Sequence, residues 1–370
     1  MGVAASADLA DATAMILTTA ESVSELGLSE AQAADFAGSA GSVAVAYGGA
    51  AARVFAVGVG PAAGVTSESL RSAVAAGVKA MKSAKITDAF VILPAGTPLA
   101  AERIAADVST AAVLADYSFD IYINDDERKF HISELTLVSD APGAAEAADV
   151  AYKIASGQCA ARDLANTRAG VATPQYMEDR AADLAAEYPD TVTLQVVDEE
   201  EMIEKGMGLI YGVGKAAPSG PRIVYLSYKG DPSSSETLAL VGKGLCYDTG
   251  GLNLKGSGNI ETMYTDKHGA CTVLGTMKAI AALGPKCNIL GAMALAENAI
   301  GQGKKILSGN TFLSTFRILE QRLFCQGRLG TNTDGNSTQK LCRLCGRRGR
   351  AAPVRHRQEL QGPDRPHRQH

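Results

Sequence analysis

The sequence lacks the features that direct a chain to export or into a membrane. Its first basic residue is Arg53, so no positively charged segment precedes an apolar core, and we expect neither a secretory nor a transit peptide. No apolar run is long and uncharged enough to span a bilayer. The first six residues fit the myristoylation pattern at Gly2, but chance explains so short a motif. One acyl chain without basic neighbours would also anchor the chain only marginally.

The sequence also lacks a disulfide framework. Its seven cysteines are scattered, no spacing among them is typical of paired cysteines, and the first is Cys159. Such usage favours a reducing compartment, so we expect a cytoplasmic protein. A hydrophobic content of 46% with 20% charged residues is typical of a globular chain, and 370 residues favour about two domains.

A phosphate-binding loop is absent as well. That motif requires Gly-x-x-x-x-Gly-Lys followed by Ser or Thr. Lys243 is followed by Gly244 and has no glycine at the farther upstream position, while Lys215 is followed by Ala216. The sequence therefore excludes a nucleotide site of this class at both lysines.

Alternating strand-like and helix-like runs predict an N-terminal α/β domain over residues 1–150. The expected elements are strands at 54–59 and 90–93 and alanine-rich helices at 67–85 and 99–115. His131 is expected at the surface or at a strand edge, because it follows a charged stretch and precedes an apolar run. No catalytic constellation is evident in this part of the chain.

A second α/β domain is predicted over residues 151–315. The expected elements are helices at 143–166, 174–188 and 270–283 and strands at 192–197, 223–228, 238–241 and 288–295. The helix that follows Thr173 has clear signals, because Thr173 can cap it, Pro174 fits its first turn and Pro189 ends it. The pattern is typical of the first part of a doubly wound mixed sheet, in which ligands bind beyond the carboxyl ends of strands.

Four charged residues after the strand at 238–241 have the chemistry of a metal-assisted hydrolase. Lys243, Asp248 and Lys255 are separated by five and seven residues, and Asp266 comes eleven residues later. Carboxylates bind hard or borderline cations, and a lysine can ligate a cation once deprotonated or polarise a carbonyl while charged. The alternatives are a turn aspartate at Asp248 and a solvated lysine at Lys255.

The run Val-Gly-Lys-Gly-Leu-Cys-Tyr-Asp-Thr-Gly-Gly-Leu-Asn-Leu-Lys at 241–255 resembles the leucyl aminopeptidase (cytosol aminopeptidase) family of two-metal exopeptidases. Three further runs are similar to landmarks of that family, at 161–166, 204–214 and 292–298. The last of these ends in Glu-Asn. The resemblance implies a small N-terminal α/β domain that contributes little chemistry, followed by the first part of the catalytic domain.

The resemblance also implies a role for each charged residue. Asp248 would bridge two divalent ions, Lys243 and Asp266 would ligate, and Lys255 would be catalytic, polarising the scissile carbonyl and stabilising the oxyanion. The implied ions are zinc or manganese, with magnesium as a further option. The implied partners are peptide substrates with a leucine-like N-terminal residue and further copies of the chain in a hexamer.

Two departures from the family bear on activity. The family completes its site with Asn-Thr-Asp-Ala-Glu-Gly-Arg, and this run is absent here. The fragment Asn-Thr-Asp does occur at 332–334, but Asn336 and Thr338 follow where glutamate and arginine belong. We treat this fragment as a coincidence. At most one metal site is therefore largely present, and the chain as written is expected to be inactive. A catalytically dead binding or regulatory subunit is the alternative. Lys267 and His268 replace a Met-Gly pair, and His268 is expected to face solvent.

Residues 316–370 differ in composition from the rest of the chain. They contain eleven arginines and one lysine against four acidic residues, with no hydrophobic periodicity from which to build a core. This predicts a non-native tail read in a shifted frame after about residue 315, which sequencing the transcript across that codon tests. A nucleic-acid-binding tail is the alternative, but the tail has no tyrosine and no repeat pattern for base stacking.

Overall fold

A computed structural model describes residues 2–4, 7–26, 28–48, 51–125 and 129–301. Within these ranges the chain forms two β-sheets, each with helices on both faces. The predicted basic tail at 316–370 lies outside the described residues, as does the end of the predicted catalytic domain. Among the helices described, none is long and apolar enough to cross a membrane.

The first sheet has six strands and is parallel except at one edge. Its strands are β1 (Gly2–Ala4), β2 (Thr13–Thr19), β3 (Val43–Gly48), β4 (Ala51–Gly60), β5 (Asp88–Ile92) and β6 (Glu134–Val138). Their spatial order is β1-β6-β5-β2-β4-β3, and only β3 runs antiparallel to its neighbour. The central strands are buried on both faces, which explains why the sequence reads there as continuous apolar runs.

Helices α2 (Ser67–Ser83) and α3 (Ala101–Asp116) cover one face of this sheet, and the short helix α1 (Glu30–Phe36) covers the other. Helix α2 begins where it does because Thr66 and Ser69 form a reciprocal capping box. The strands and helices expected in this region are confirmed to within a few residues.

The second sheet has four strands of mixed direction. Its strands are β7 (Val192–Val197), β8 (Arg222–Lys229), β9 (Leu238–Asp248) and β10 (Asn288–Asn298). Their spatial order is β7-β8-β10-β9, in which only β10 and β9 are parallel. Strand β9 is therefore an edge strand among the residues described.

Helices cover both faces of the second sheet. They are α5 (Pro174–Glu187), α6 (Glu199–Glu204), α7 (Gly208–Gly214) and α8 (His268–Leu283). Helices α5 and α8 pack on one face through Met177, Leu184 and Met277, while α6 and α7 pack on the other through Met202 and Ile210. The prediction of an α/β protein whose second part is a doubly wound mixed sheet is confirmed.

The bounds of strand β9 correct the sequence prediction. The strand was expected to end at residue 241, before the glycines, with Lys243 and Asp248 on a loop, but it continues to Asp248. The glycines do not end it, because they allow a close approach instead. A Cβ at Gly242 would lie 2.4 Å from the carbonyl oxygen of Gly269, so only glycine lets the start of α8 pack against β9 here.

Helix α4 (Ala144–Asn166) joins the two halves of the chain and packs against both α3 and α8. The domain boundary predicted at residue 150 falls inside this helix and stays a prediction. Two glycines allow α4 and α8 to cross closely: a Cβ at Gly157 would lie 2.5 Å from the carbonyl oxygen of Gly275, and a Cβ at Gly275 would lie 2.4 Å from that of Gly157.

We expect Gly275→Ala to destabilise the fold by about 1–3 kcal/mol, because the new methyl group forces backbone apart in a packed helix crossing. Urea unfolding followed by circular dichroism measures the change. Gly212→Ala is the matched control, since a Cβ at that position of helix α7 meets nothing within 4 Å. The control should be neutral or stabilising by up to about 1 kcal/mol, and equal losses in both variants would contradict the close crossing.

His131 is exposed, as expected, and lies between two carboxylates. Its Nδ1 is 3.0 Å from Oδ2 of Asp116, and its Nε2 is 3.0 Å from Oδ2 of Asp120. Partial burial alone would lower the pKa of His131, but the hydrogen bonds to Asp120 and Asp116 outweigh it and raise the pKa above its ordinary value. Only the imidazolium donates from both ring nitrogens. Protonated His131, in the segment before β6, therefore bonds Asp116 at the end of α3 as well as Asp120.

This geometry predicts a pH-dependent stability. A histidine whose folded-state pKa is raised contributes stability that is complete below its unfolded value, about 6.5, and is lost as pH rises through the folded-state pKa. Urea unfolding between about pH 6 and pH 9 should show this loss, and His131→Gln should remove that part of the slope. His268→Gln, at an exposed histidine, is the control and should keep it. A wild-type slope unchanged in His131→Gln would contradict the role of the two carboxylates.

Candidate metal centre

The four predicted site residues lie along β9 and the segment that follows it. Lys243 is within the strand, Asp248 is its last residue, and Lys255 lies on the connection to α8. Asp266 follows the short 3-10 helix Met263–Thr265, directly before Lys267 and the first turn of α8. The segment therefore folds back beside the edge strand and returns Asp266 toward Lys243.

An irregularity in strand pairing places Lys243 and Asp248 on the same face of the sheet. In a regular strand, residues five apart point to opposite faces. Here Lys243 pairs with Ala294 and Asp248 pairs with Asn298, which are only four apart on β10, because the register shifts between Ala296 and Glu297. Strand β9 thus has one more residue than β10 over this stretch, so Lys243 and Asp248 are not on opposite faces as they would be in a regular strand.

The four residues form two ion pairs. Nζ of Lys243 is 2.9 Å from Oδ2 of Asp266, and Nζ of Lys255 is 2.6 Å from Oδ2 of Asp248. Nζ of Lys255 also lies 2.9 Å from Sδ of Met263. The Asp248 side chain is only 16% exposed whereas that of Lys243 is 61% exposed, so the Lys255–Asp248 pair is well shielded and the Lys243–Asp266 pair is open to solvent on its lysine side.

Asp248 is held in its ionised form. Partial burial would raise the pKa of its carboxyl, but hydrogen bonds from Lys255, from the Gly250 N–H and from Asn298 together bring the pKa below its ordinary value. The Gly250 N–H and Nδ2 of Asn298 both donate to Oδ1, at 3.0 Å and 2.7 Å. One oxygen of the carboxylate is thus fixed by neutral donors, while the other faces a positive charge.

Asn298 is a site residue that the sequence reading missed. Beyond its side-chain bond to Asp248, its main-chain oxygen accepts hydrogen bonds from Thr249 N (3.1 Å) and Thr249 Oγ1 (2.6 Å). These bonds hold the end of β10 against Asp248 and Thr249. The Glu-Asn landmark was visible in the sequence, but its contact depends on the pairing of β10 with β9, which no local pattern gives.

The two residues that depart from the family pattern behave differently. His268 is exposed, as expected. Lys267 is fully buried, which the sequence did not indicate, and its amine contacts three main-chain carbonyls. Burial lowers the pKa of Lys267 below its ordinary value. Burial raises the pKa of Glu297 above its ordinary value.

We expect Asn298→Ala to raise the pKa of Asp248 toward the ordinary value, because one of its donors is lost. Removing a hydrogen bond to a charged group should also cost about 1.5–3 kcal/mol of stability. Carbon-13 NMR of labelled aspartate carboxyls gives the pKa, and urea unfolding gives the stability. Asn259→Ala, at an exposed asparagine, is the control; an Asp248 titration that is the same in both variants would contradict the assigned contact.

Comparisons with known proteins agree with this architecture. Residues 2–125 match the N-terminal domain of the cytosol aminopeptidase family, and residues 159–306 match its catalytic domain. A probable cytosol aminopeptidase of Geobacter sp. is 32% identical over 286 residues, which are 75% of this chain and 55% of that protein. The chain spans about half the length of the curated relatives it matches.

Solved structures share the fold. The bottromycin maturation enzyme BotP in complex with Mn superposes with a TM-score of 0.68 at 30% identity, covering 80% of this chain and 61% of that one. A tomato leucine aminopeptidase variant superposes with a TM-score of 0.69 at 24% identity, covering 82% of this chain and 64% of that one, and at this identity the likeness shows the fold alone. With both of its domains matched in order along the sequence, the chain belongs to the cytosol aminopeptidase family.

Proposed function

We propose that this chain carries half of the metal centre of an aminopeptidase that releases N-terminal amino acids, with a leucine-like preference, from peptides. The observation that supports this most directly is the convergence of Lys243, Asp248, Lys255 and Asp266 as two lysine–carboxylate pairs at one edge of the sheet. A pair of surface ion pairs alone would be worth little. Their position, in a chain whose two domains match this family in order, gives them a catalytic interpretation.

The donors fit one divalent cation. Neighbouring donors of an octahedral ion with bonds of about 2.1 Å lie about 3 Å apart. Nζ of Lys243 and Oδ2 of Asp266 are 2.9 Å apart, so a cation could take the place of the proton they share with little movement of either side chain. Lys243 would have to lose its proton, which makes binding weaker as pH falls. Asp248 would supply a further carboxylate.

A second cation does not fit the residues described. Across the described ranges, no group of three or more His, Cys, Asp or Glu side chains is placed to hold a metal ion. The candidate donors are two carboxylates and one lysine amine, so they include only two side chains of these four types. The carboxylates and arginine that would complete the centre have no counterpart in the sequence. We propose zinc or manganese, with magnesium as a further option, at one weak site.

The residues present would divide the chemistry of peptide hydrolysis among them. A bound divalent cation supplies an activated water and a Lewis acid for the scissile carbonyl. Lys243 and Asp266 would hold the cation, and Asp248 would share with it the Oδ2 that Lys255 contacts. Lys255 would then be released from its 2.6 Å contact with Asp248 and would direct its charge at the carbonyl oxygen of the substrate, where negative charge develops.

The remaining functional proposals concern setting and assembly. We propose a cytoplasmic chain that acts on peptides without a membrane or nucleic-acid partner. With a full-length catalytic domain it would assemble into a homo-oligomer, a hexamer as the family resemblance implies. A catalytically dead subunit is the second candidate, because both carboxylates are already neutralised by ammonium groups and the completing carboxylates are missing. Assembly of the chain with neither bound metal nor turnover would favour that candidate.

Metal counting tests the roles of the four residues. The purified 370-residue chain should bind at most one Mn²⁺ or Zn²⁺ weakly, measured by elemental analysis after equilibrium dialysis, and should not cleave leucine amides above background. Asp248→Ala should abolish metal binding, whereas Lys255→Ala should keep it, because Lys255 acts on the substrate and not on the cation. Lys286→Ala, at an exposed lysine, is the control.

Two outcomes would contradict the proposal. Equal loss of metal in Asp248→Ala and Lys255→Ala would show that the roles are assigned wrongly. Metal-dependent turnover by the 370-residue chain that disappears in Asp248→Ala would show that the chain needs no completing carboxylates. If those carboxylates are supplied by extending the chain, Lys255→Ala should lower kcat by on the order of 10²–10³ while metal binding is kept.

A further inference from the structure

Lys267 is fully buried, at 0% exposure, although lysine is among the residues least often found inside a protein. It lies between Asp266, a proposed metal ligand, and the first turn of α8. Burying an amine without partners is strongly unfavourable, so the contacts of Lys267 must account for its position.

Three main-chain carbonyls surround the Lys267 amine. Its Nζ donates to the oxygens of Thr167 (2.8 Å), Ala165 (3.3 Å) and Tyr264 (2.5 Å). A neutral amine has two N–H donors and an ammonium has three, so three acceptors match the charged form. All donors of the side chain are thereby satisfied.

The first two carbonyls belong to the end of helix α4. The last carbonyls of a helix have no partner within it and carry the negative end of its dipole. Helix α4 ends at Asn166, so Ala165 and Thr167 offer those unpaired oxygens to the Lys267 ammonium. Thr167 is itself buried, and water is therefore a poor substitute for the lysine at this end of the helix.

The third carbonyl belongs to the short turn that carries Asp266. Tyr264 lies in the 3-10 helix Met263–Thr265, and the Asp266 N–H donates to the Met263 oxygen at 3.2 Å. The main-chain oxygen of Lys267 accepts from the Cys271 N–H at 3.1 Å, which fixes it to α8. Asp266 is therefore held between two anchored points.

We propose that Lys267 is a positioning residue: its buried ammonium ties the end of α4 to the Asp266 turn and so places the Asp266 carboxylate against Lys243. This inference rests on the proposed function for its effect on metal binding, but not for its effect on the Asp266 turn. It assigns to α4, a helix remote in sequence from the site, the task of supporting one ligand.

The test compares Lys267→Met with Lys286→Met, the same substitution at an exposed lysine. Hydrogen exchange measured by mass spectrometry reports the turn, and titration with Mn²⁺ alone reports the site. Lys267→Met should speed exchange across residues 263–268 and weaken Mn²⁺ binding by about 10–100-fold, as the loss of groups that support a ligand does. Lys286→Met should do neither, and Lys267→Arg should recover part of both losses.

The outcomes separate this inference from the proposed function. If Lys267→Met exchanges and binds Mn²⁺ like the wild type, or if Lys286→Met shows the same losses, Lys267 is not a positioning residue. If the wild type binds no Mn²⁺, the proposed function is wrong and the exchange data alone decide the role of Lys267. Should Lys267→Met not fold, Lys267→Gln, which keeps two N–H donors, is read by the same criteria.

Discussion

The parallel pairing of β9 with β10 is the contact on which the candidate site depends. It extends the edge strand past its glycines to Asp248 and carries the shift in register that brings Lys243 and Asp248 to one face. It also delivers Asn298 to the Asp248 carboxylate at 2.7 Å. Without this pairing, Lys243, Asp248 and Lys255 would lie on a glycine-rich loop with no fixed relation to one another.

A second constraint is the charge that gathers at this edge. Two carboxylates are each balanced by an ammonium, and a third ammonium, that of Lys267, is buried a single residue from Asp266. The first two ammonium groups occupy positions that cations could share, whereas the third is used entirely by main-chain carbonyls. The same side-chain type is thus proposed as a ligand, as an electrophile and as a structural tie, and its surroundings decide which.

Local signals predicted most of the architecture. The start of α5 at Pro174 follows from its Thr173 cap, and β7 at Val192–Val197 was predicted with its observed bounds. The glycines near Lys243 were misread as a strand end, because their close approach to α8 is visible only once distant segments meet. Asn298 and Lys267 were missed for the same reason: their partners lie far away in the sequence, and hydrogen bonds at such separations leave no periodic pattern.

We propose that Lys243, Asp248 and Asp266 form one shared cation site at the edge of the second sheet. A crystal of the chain soaked in Zn²⁺, with diffraction measured above and below the zinc edge, tests this proposal. One anomalous peak is expected at about 2.0–2.2 Å from Nζ of Lys243 and from carboxylate oxygens of both aspartates. A peak bound only elsewhere, or both ion pairs intact with no peak beside them at saturating zinc, would contradict it.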